Sequence, residues 1–183
     1  MKPTNSRSTS LPSRARANSL AVALTFLLAS CASVDGRGLN VGASEGELQA
    51  VMGKPAEVQT LASGDRVYWY PQLPWGHASY AARLGGDGRL ISIEQRLTEE
   101  NISKIVRGQT NAKEVHDLLG PAWQPQRYER MERDIWTYPM RVAGHQLPKW
   151  YIVQMSPDGI VRETYLMDDP QFVPMDRGGG HCC

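Results

Sequence analysis

Cysteine is scarce in this chain of 183 residues, which has three cysteines, Cys31, Cys182 and Cys183. Positions 32 to 181 contain none, so no disulfide can hold the interior of the chain together. Folding must therefore depend on packing of apolar side chains. Hydrophobic residues make up 41% of the chain, which is enough to bury the core of one domain or of two small ones.

Acidic residues are absent from the first 30 positions, where the only charges are those of Lys2, Arg7, Arg14 and Arg16. The apolar stretch at residues 20–28 has the length of the apolar core of a signal peptide and is too short for a bilayer, which needs about 20 residues. Basic residues followed by a short apolar run predict a secretory signal peptide over residues 1–30.

The apolar run ends in Leu28-Ala29-Ser30-Cys31, which resembles the lipobox of bacterial lipoproteins. The resemblance implies cleavage before Cys31, a diacylglyceryl group on its thiol and an acyl chain on the freed amine. Two or three acyl chains hold a protein firmly on a membrane. Position 32 is alanine. An aspartate at this position would resemble the signal that retains lipoproteins in the inner membrane, so we expect attachment to the outer membrane, facing the periplasm. The alternative is an ordinary signal peptide that happens to end near a cysteine.

An excess of charge of one sign is also lacking. Removal of residues 1–30 takes away four positive charges and no negative one, which changes the formal charge from +1 to −3. This balance predicts no nucleic-acid partner.

The chain ends in His181, Cys182 and Cys183, directly after three glycines. Adjacent residues do not easily form a closed tetrahedral metal site, so we expect no metal and no cofactor. In an oxidising periplasm the two cysteines would form a strained disulfide with each other, link to another chain, or serve no function.

Two segments of the chain are similar to each other, residues 44–53 and residues 111–120, at an offset of 67 positions. Each starts with an N-cap residue, Ser44 or Asn111, and has glutamate three positions later, which is the spacing of a capping box. Apolar residues at positions i, i+3 and i+4 follow, and then a glycine and a proline that end the pattern. Each segment therefore predicts one short helix.

The same offset relates Trp69 to Trp136, and a proline follows soon after each in an apolar run. Further on, Asp-Gly pairs at residues 87–88 and 158–159 separate two runs in each half, which is a strong hairpin signal. These runs are residues 79–84 with 89–95, and residues 150–155 with 160–167. One more helix is predicted over residues 98–106, between the two halves.

These elements predict an α+β fold of two tandem units, each with one or two helices packed on a three-stranded antiparallel sheet. The first unit covers residues 41–96 and the second covers residues 97–169. Residues 31–40 are predicted to be a tether, and residues 170–183 a disordered tail. Units of this size are marginally stable alone, so we expect them to pack together, with the helix at residues 98–106 buried against both.

Several short sequences in the second unit resemble the SmpA/OmlA family of outer-membrane lipoproteins, also called BamE-like. They are Arg107-Gly-Gln-Thr110, Glu114-Val115, Leu118-Leu119-Gly120-Pro121, Trp136-Thr-Tyr138 and Asp158-Gly159. The unit of that family has two helices packed on a three-stranded sheet, and its founding member assists the machine that inserts outer-membrane β-barrels. The resemblance covers residues 41–167 and implies a fold more directly than a function. Two units in one chain imply a paralogue with a partner of its own.

No catalytic motif is recognisable in the sequence. Ser79 lies two residues from His77, and His116 adjoins Asp117, but neither pair belongs to a known catalytic arrangement. His116 is expected to be a solvated surface residue, because apolar residues take the other side of its helix. We therefore predict that the protein is not an enzyme.

Aromatic residues are concentrated in the predicted strands and in the loops that follow them. Alternate residues of a strand face opposite sides, so we expect Trp69 and Trp136 to pack on the helices and the neighbouring tyrosines to line the open face. An aromatic open face is a candidate surface for binding another protein. The candidate partner-binding residues are Tyr68, Tyr70, Trp75 and Tyr138.

Together these features predict a lipid-anchored envelope lipoprotein, a non-catalytic protein-binding module in outer-membrane assembly or integrity. Its partners would be the membrane, through acyl chains on Cys31, and an envelope protein. The alternative is an inhibitor of a hydrolase, because related folds also occur as tandem pairs in secreted β-lactamase inhibitor proteins. Such an inhibitor would insert a loop into the pocket of an enzyme.

Overall fold

The computed structural model describes residues 35–173. The predicted signal peptide, Cys31 and residues 174–183 of the predicted tail lie outside the described residues. Three α-helices occur in the described part, α1 (Glu45–Met52), α2 (Glu99–Ser103) and α3 (Ala112–Leu119), together with a short 3-10 helix, Glu129–Met131. None of the helices in this part is long and apolar enough to cross a membrane.

Eight strands in the described residues form two antiparallel sheets of four strands each. The first sheet has the order β1 (Glu57–Thr60), β2 (Arg66–Pro71), β3 (Ser79–Leu84) and β4 (Leu90–Gln95). The second sheet has the order β5 (Gln124–Tyr128), β6 (Arg133–Met140), β7 (Lys149–Met155) and β8 (Val161–Asp168). The predicted fold class is therefore wrong, because each sheet has four strands rather than three and sheet dominates over helix.

The two strands that the sequence analysis missed, β1 and β5, each lie at the edge of a sheet. Their sequences, Glu-Val-Gln-Thr and Gln-Pro-Gln-Arg-Tyr, are mostly polar, and every residue except Gln59 is exposed. Such strands are held by main-chain hydrogen bonds to one neighbour and bury little of either face, so they leave no hydrophobic alternation in the sequence. Pro125 is compatible with β5 because one side of an edge strand is unpaired.

The capping boxes of α1 and α3 are confirmed. The Ser44 hydroxyl accepts from the Glu47 N–H at 3.3 Å, and the Glu47 carboxylate accepts from the Ser44 N–H at 2.7 Å. The equivalent pair at the start of α3 forms the same two bonds at 3.0 and 2.8 Å. Gly53 and Gly120 end the two helices with φ of 80° and 82°, a conformation that glycine adopts without steric cost.

The helix predicted over residues 98–106 is shorter than expected. Thr98 caps α2, and the helix ends at Ser103. The chain then forms turns, in which the Val106 N–H donates to the Thr110 hydroxyl at 2.8 Å. Ile105 remains buried in the second core although it lies outside the helix.

Each sheet has an inner face, which packs on the helices of its own unit, and an outer face on the opposite side. The first core lies between α1 and the inner face of the first sheet and contains Leu48, Met52, Tyr68, Tyr70, Ala82, Leu84 and Leu90. The second core lies between α3 and the inner face of the second sheet and contains Leu97, Ile105, Val115, Leu119, Tyr138, Met140, Tyr151, Val153, Met155 and Val161. Leu39, within the predicted tether, packs against the first core.

The offset between the two units changes from 67 to 68 positions along the chain. Glu57 pairs with Trp69 in the first sheet, whereas Gln124, 67 positions after Glu57, pairs with Thr137, 68 positions after Trp69. Six residues separate the paired Arg127 and Asp134, whereas five separate the equivalent pair Thr60 and Arg66, so the second hairpin contains one residue more. The structural counterpart of Trp69 is Thr137 and not Trp136, because one inserted residue moves the following side chains to the other face.

Candidate partner-binding surfaces

Three of the four predicted partner-binding residues are buried. Tyr68, Tyr70 and Tyr138 are 2%, 7% and 0% exposed, and each belongs to one of the two cores. The prediction that they line an open face is therefore wrong, since they lie on inner faces under helices. Trp69 alternates with Tyr68 and so lies on the outer face. Trp136 packs against the second core, on the helix side.

The buried tyrosines have structural contacts. The Tyr68 hydroxyl donates to Glu45 Oε1 at 2.6 Å, and this bond is the largest reason that the pKa of Glu45 is lowered. The Tyr138 hydroxyl donates to the Gly120 carbonyl at 3.1 Å, which ties β6 to the end of α3. Burial raises the pKa of Tyr70 to about 12, so its phenol stays neutral. The rings of Tyr68 and Tyr138 thus fill the cores while their hydroxyls fasten helices to sheets.

Trp75, the fourth predicted residue, is 71% exposed and lies in the loop between β2 and β3. Its neighbours His77 and Ala78 are buried. The Gly76 N–H donates to the Gln72 carbonyl at 2.7 Å, and the Gln72 N–H donates to the Ala78 carbonyl at 2.9 Å. A Cβ on Gly76 would lie 2.5 Å from the Cβ of Gln72, so the turn requires glycine. The loop therefore exposes the Trp75 indole to solvent, while main-chain hydrogen bonds fix the backbone at the base of the loop.

His77 joins the base of this loop to the C-terminal part of the described chain. Its ring centroid lies 6.0 Å from that of Phe172. Burial lowers the pKa of His77 and Arg141 lowers it further, whereas Asp169 acts in the opposite direction. The neutral form of the imidazole is therefore favoured in the folded protein.

The outer face of the first sheet is covered by α3, a helix of the second unit. The Trp69 ring meets the His116 ring edge-on, at 5.4 Å between centroids. His116 Nε2 also lies 3.1 Å from Glu57 Oε2, and Gln59 donates to Asp117 Oδ1 at 3.0 Å. His116 is thus a contact between units, and the prediction that it is a solvated surface residue is wrong.

The C-terminal end of α3 approaches the first sheet closely. A Cβ on Gly120 would lie 2.6 Å from the Trp69 ring and 2.7 Å from the Ser79 hydroxyl. A Cβ on Gly53, at the equivalent end of α1, would meet nothing within 4 Å. The two helices therefore end alike, but one end contacts an outer face and the other does not.

A second junction between the units is made by Asn101 of α2, which is buried. Its side-chain amide donates to the Arg96 carbonyl at 2.7 Å and to the Leu118 carbonyl at 3.3 Å. Arg96 in turn donates to the Asp117 carbonyl at 2.9 Å. These bonds connect the end of β4, α2 and α3.

Asn101 was not among the predicted functional residues, although the sequence contains a signal for it. Asn101 lies four positions after Leu97 and four before Ile105, both of which are buried. A polar residue in an apolar row with helical spacing indicates a buried side chain that must find hydrogen-bond partners. That spacing could have identified Asn101 as a buried residue from the sequence.

Beside the docked α3, the outer face of the first sheet keeps a groove of about 290 Å³. Its charged side chains pair with acidic groups close by: Arg96 lies 3.0 Å from Glu94, and Arg83 donates to Asp65 at 3.0 Å. These ion pairs largely neutralise the charges of the groove.

Two further arrangements bear on chemistry. The Ser79 hydroxyl and His77 Nε2 are both buried without a hydrogen-bond partner in the described residues, so they are not bonded to each other as a nucleophile and its base would be. Within residues 35–173, no group of three or more His, Cys, Asp or Glu side chains is placed to hold a metal ion.

The outer face of the second sheet differs from that of the first. All three described helices pack elsewhere, α1 at the first core and α2 and α3 at the second. Tyr165 and Met167 on this outer face are 39% and 38% exposed. Trp150, between them and β6, meets Trp123 edge-on at 5.6 Å between centroids. Ile152 and Thr137 on the same face are 4% and 8% exposed, so the middle of this face is buried although none of the described helices lies on it.

Comparisons with known proteins add little to these observations. No family model matches the chain, and no curated protein matches it. Among solved structures, the chain is similar to a DUF4309 family protein (YjgB) from Bacillus subtilis, with 16% sequence identity and a TM-score of 0.28, over 73% of this chain and 84% of that one. A TM-score this low carries no argument about fold. The resemblance to the SmpA/OmlA family stays a prediction.

Proposed function

We propose that the protein is a lipid-anchored envelope lipoprotein that serves as a non-catalytic protein-binding module in outer-membrane assembly or integrity. In this proposal acyl chains on Cys31 hold it on the outer membrane, facing the periplasm. The loop that carries Trp75 binds an envelope protein.

The exposure of Trp75 on a tied loop is the observation that supports protein binding. Exposed apolar surface costs about 25 cal/mol per Å² relative to burial, and hydrogen bonds at the base of the loop keep it from folding inward. Tryptophan is among the residues that contribute most to binding when a pocket of the partner encloses them. A loop that is already ordered also loses little conformational entropy on binding.

Photo-crosslinking in intact cells tests this function. With a photoreactive amino acid at position 75 of the full chain, we expect irradiation to join the protein to one envelope protein, which mass spectrometry identifies. The same amino acid at Ala62, exposed in the turn between β1 and β2, is the control and should give no such product. Equal labelling at both positions would contradict a specific role of the loop.

Complementation gives an independent measure. A strain that lacks the gene should become sensitive to detergent and to large antibiotics if the protein supports outer-membrane integrity. The wild-type chain should restore resistance, whereas Trp75→Ala, which removes an exposed side chain, should fold normally and fail to restore it. Full restoration by Trp75→Ala would show that the indole is not the binding element.

The anchor is tested separately. Metabolic labelling with a palmitate analogue should mark the wild-type chain and not Cys31→Ser, because the lipobox cysteine carries the lipid. Label that persists on Cys31→Ser would contradict the proposed anchor.

The same loop is the feature that favours a hydrolase inhibitor as a second candidate, since an ordered loop with an exposed aromatic tip suits an enzyme pocket. Titration of purified full chain into secreted hydrolases, β-lactamases included, distinguishes the two functions. Stoichiometric inhibition that Trp75→Ala abolishes would favour the inhibitor, and unchanged enzyme activity would favour the binding module.

A further inference from the structure

Exposed apolar residues occur side by side in β8, which forms one edge of the second sheet. Tyr165, Leu166 and Met167 are 39%, 42% and 38% exposed. Consecutive side chains of a strand lie on opposite faces, so exposure of all three indicates that the end of β8 is accessible from both faces. An exposed apolar edge strand readily pairs with a strand of another chain.

A hydrogen bond just after β8 shows which of its main-chain groups point away from the sheet. The Asp169 N–H donates to the Pro148 carbonyl at 3.2 Å, on the side of β7. Main-chain groups alternate in direction along an antiparallel strand, so those of Met167 also point toward β7. Those of Leu166 and Asp168 therefore point outward, away from the sheet.

The first half of this edge is covered by the chain between α2 and α3. Both main-chain groups of Val161 are bonded by residues 108–110, at 2.7 and 2.9 Å. Further along, Arg107 donates to the Thr164 carbonyl at 3.5 Å. No residue of the described chain bonds to the two outward-pointing positions that follow. The free part of the edge is thus the last part of β8.

The other sheet edges in residues 35–173 are protected. β1 and β5 carry polar side chains, and Pro125 in β5 lacks an N–H that a partner strand could use. At β4, residues 42–43 bond to both main-chain groups of Leu90, and Gly36 lies against the Ile93 side chain. Natural proteins block sheet edges in such ways. The end of β8 differs from them in being both apolar and unblocked.

A second copy of this chain supplies a strand that fits the free end of β8. When β8 pairs antiparallel with itself, the N–H and carbonyl of Leu166 can meet the carbonyl and N–H of Asp168 from the other copy. Every free group is then bonded, and Met167 lies opposite Met167 of the other copy. The Asp168 carboxylate is held by Lys149 of its own copy, so it brings no unpaired charge to the contact.

Neighbouring registers of the same pairing fit less well. A shift by one residue toward the start of β8 places Glu163 opposite Asp169, and like charges directly opposite each other are destabilising. A shift by two residues pairs Leu166 with Thr164, whose carbonyl already accepts from Arg107. The unshifted register meets neither problem.

We propose that two copies of this chain associate through β8, which pairs antiparallel with β8 of the other copy about a two-fold axis at Met167. The contact is isologous, because both copies contribute the same surface. It adds a strand to the free edge of each second sheet, so the two sheets become one continuous sheet. The association also removes apolar surface of Leu166 and Met167 from water.

Disulfide trapping tests the register, in the full chain with Cys182→Ser and Cys183→Ser. Met167→Cys places two thiols opposite each other, with Cα atoms about 4.5 Å apart, within the range of a disulfide. We expect mild oxidation with copper–phenanthroline to give a covalent dimer that a reductant reverses. Tyr165→Cys is equally exposed on the same strand, but its two copies would lie roughly 13 Å apart. It should form the dimer at least about tenfold more slowly.

A proline at position 166 tests the main-chain bonds. The Leu166 N–H points outward, so Leu166→Pro removes a bond to the other copy and none to β7. Added to Met167→Cys, it should slow the formation of the covalent dimer at least about tenfold, because each dimer loses two hydrogen bonds. Leu166→Ala keeps the N–H and should slow it less than about threefold. Circular dichroism melting confirms that each variant is folded, and the comparison of the two cysteine variants does not depend on the proline.

Three results would overturn the proposal. In the first, Met167→Cys gives no more covalent dimer than the chain without a cysteine in β8, which would leave the edge to a different occupant. In the second, Tyr165→Cys is trapped as fast as Met167→Cys or faster, which would indicate random collision or another register. In the third, the folded Leu166→Pro chain is trapped as fast as the Leu166→Ala chain, which would exclude main-chain pairing.

Discussion

The two sheets of this protein are built alike but covered differently. The first sheet lies between two helices, α1 on its inner face and α3 on its outer face, whereas the second has described helices on its inner face alone. The outer face that α3 covers is rich in charged residues, most of them paired, whereas the outer face of the second sheet carries Trp150, Ile152 and Met167. The first unit therefore depends on the second for one of its two faces, and the second does not depend on the first in the same way.

The largest expected effect comes from Leu119→Ala, because α3 serves both sheets. Leu119 is 0% exposed in the second core, and its truncation should cost about 2–5 kcal/mol. We expect one thermal transition, shifted to lower temperature, in both far-ultraviolet circular dichroism and tryptophan fluorescence. A second, unshifted transition would show that the first sheet is stable without α3.

Gly120→Ala and Gly53→Ala form a matched pair that isolates the contact of α3 with the first sheet. Both substitutions place a side chain at a positive φ, at a cost of about 1–3 kcal/mol each. Only Gly120→Ala also creates a clash, with Trp69 and Ser79, which should add about 1–3 kcal/mol. Chemical denaturation measures the difference, and equal losses would mean that the helix end yields without cost.

Asn101→Ala tests the second junction between the units. It removes the donor to two carbonyls, and unsatisfied buried groups cost about 1–3 kcal/mol. Ser103→Ala, exposed on the same short helix, should change the free energy of unfolding by less than about 0.5 kcal/mol. Similar values for the two variants would show that the Asn101 bonds do not stabilise the junction.

The smallest effect concerns pH and the base of the Trp75 loop. The pKa of His77 is lowered by burial from the ordinary value of 6.5, so the unfolded chain binds a proton that the folded chain does not. This part of the stability is complete above pH 6.5 and is lost as the pH falls toward the lowered pKa. His77→Asn keeps a residue that tolerates φ of 52° and should flatten the decline between pH 7 and 5. An unchanged slope in that variant would assign the decline to other groups.

Local signals in the sequence were reliable where neighbouring residues decide the structure. The capping boxes of α1 and α3 and the hairpin turns depend on residues within a few positions, and the strand predicted at residues 79–84 is β3 itself. The exposed edge strands β1 and β5 have no such signal, because partners distant in sequence supply their hydrogen bonds. The shared offset of Trp69 and Trp136 led to a wrong assignment of the face of Trp69, since one extra residue in the second hairpin places the two side chains on opposite faces.

The sequence by itself determined the boundaries of α1 and α3, the turns and the alternation of side chains along the central strands, because these follow from local backbone preferences. Tertiary structure alone decided which face of each strand is covered. It placed Tyr68 and Tyr138 in the cores, left Trp75 in water and brought α3 of one unit onto the sheet of the other. The physical reason is that alternation along a strand defines two faces but does not define which element packs on each face. That is decided when segments far apart in sequence pack together and remove apolar surface from water.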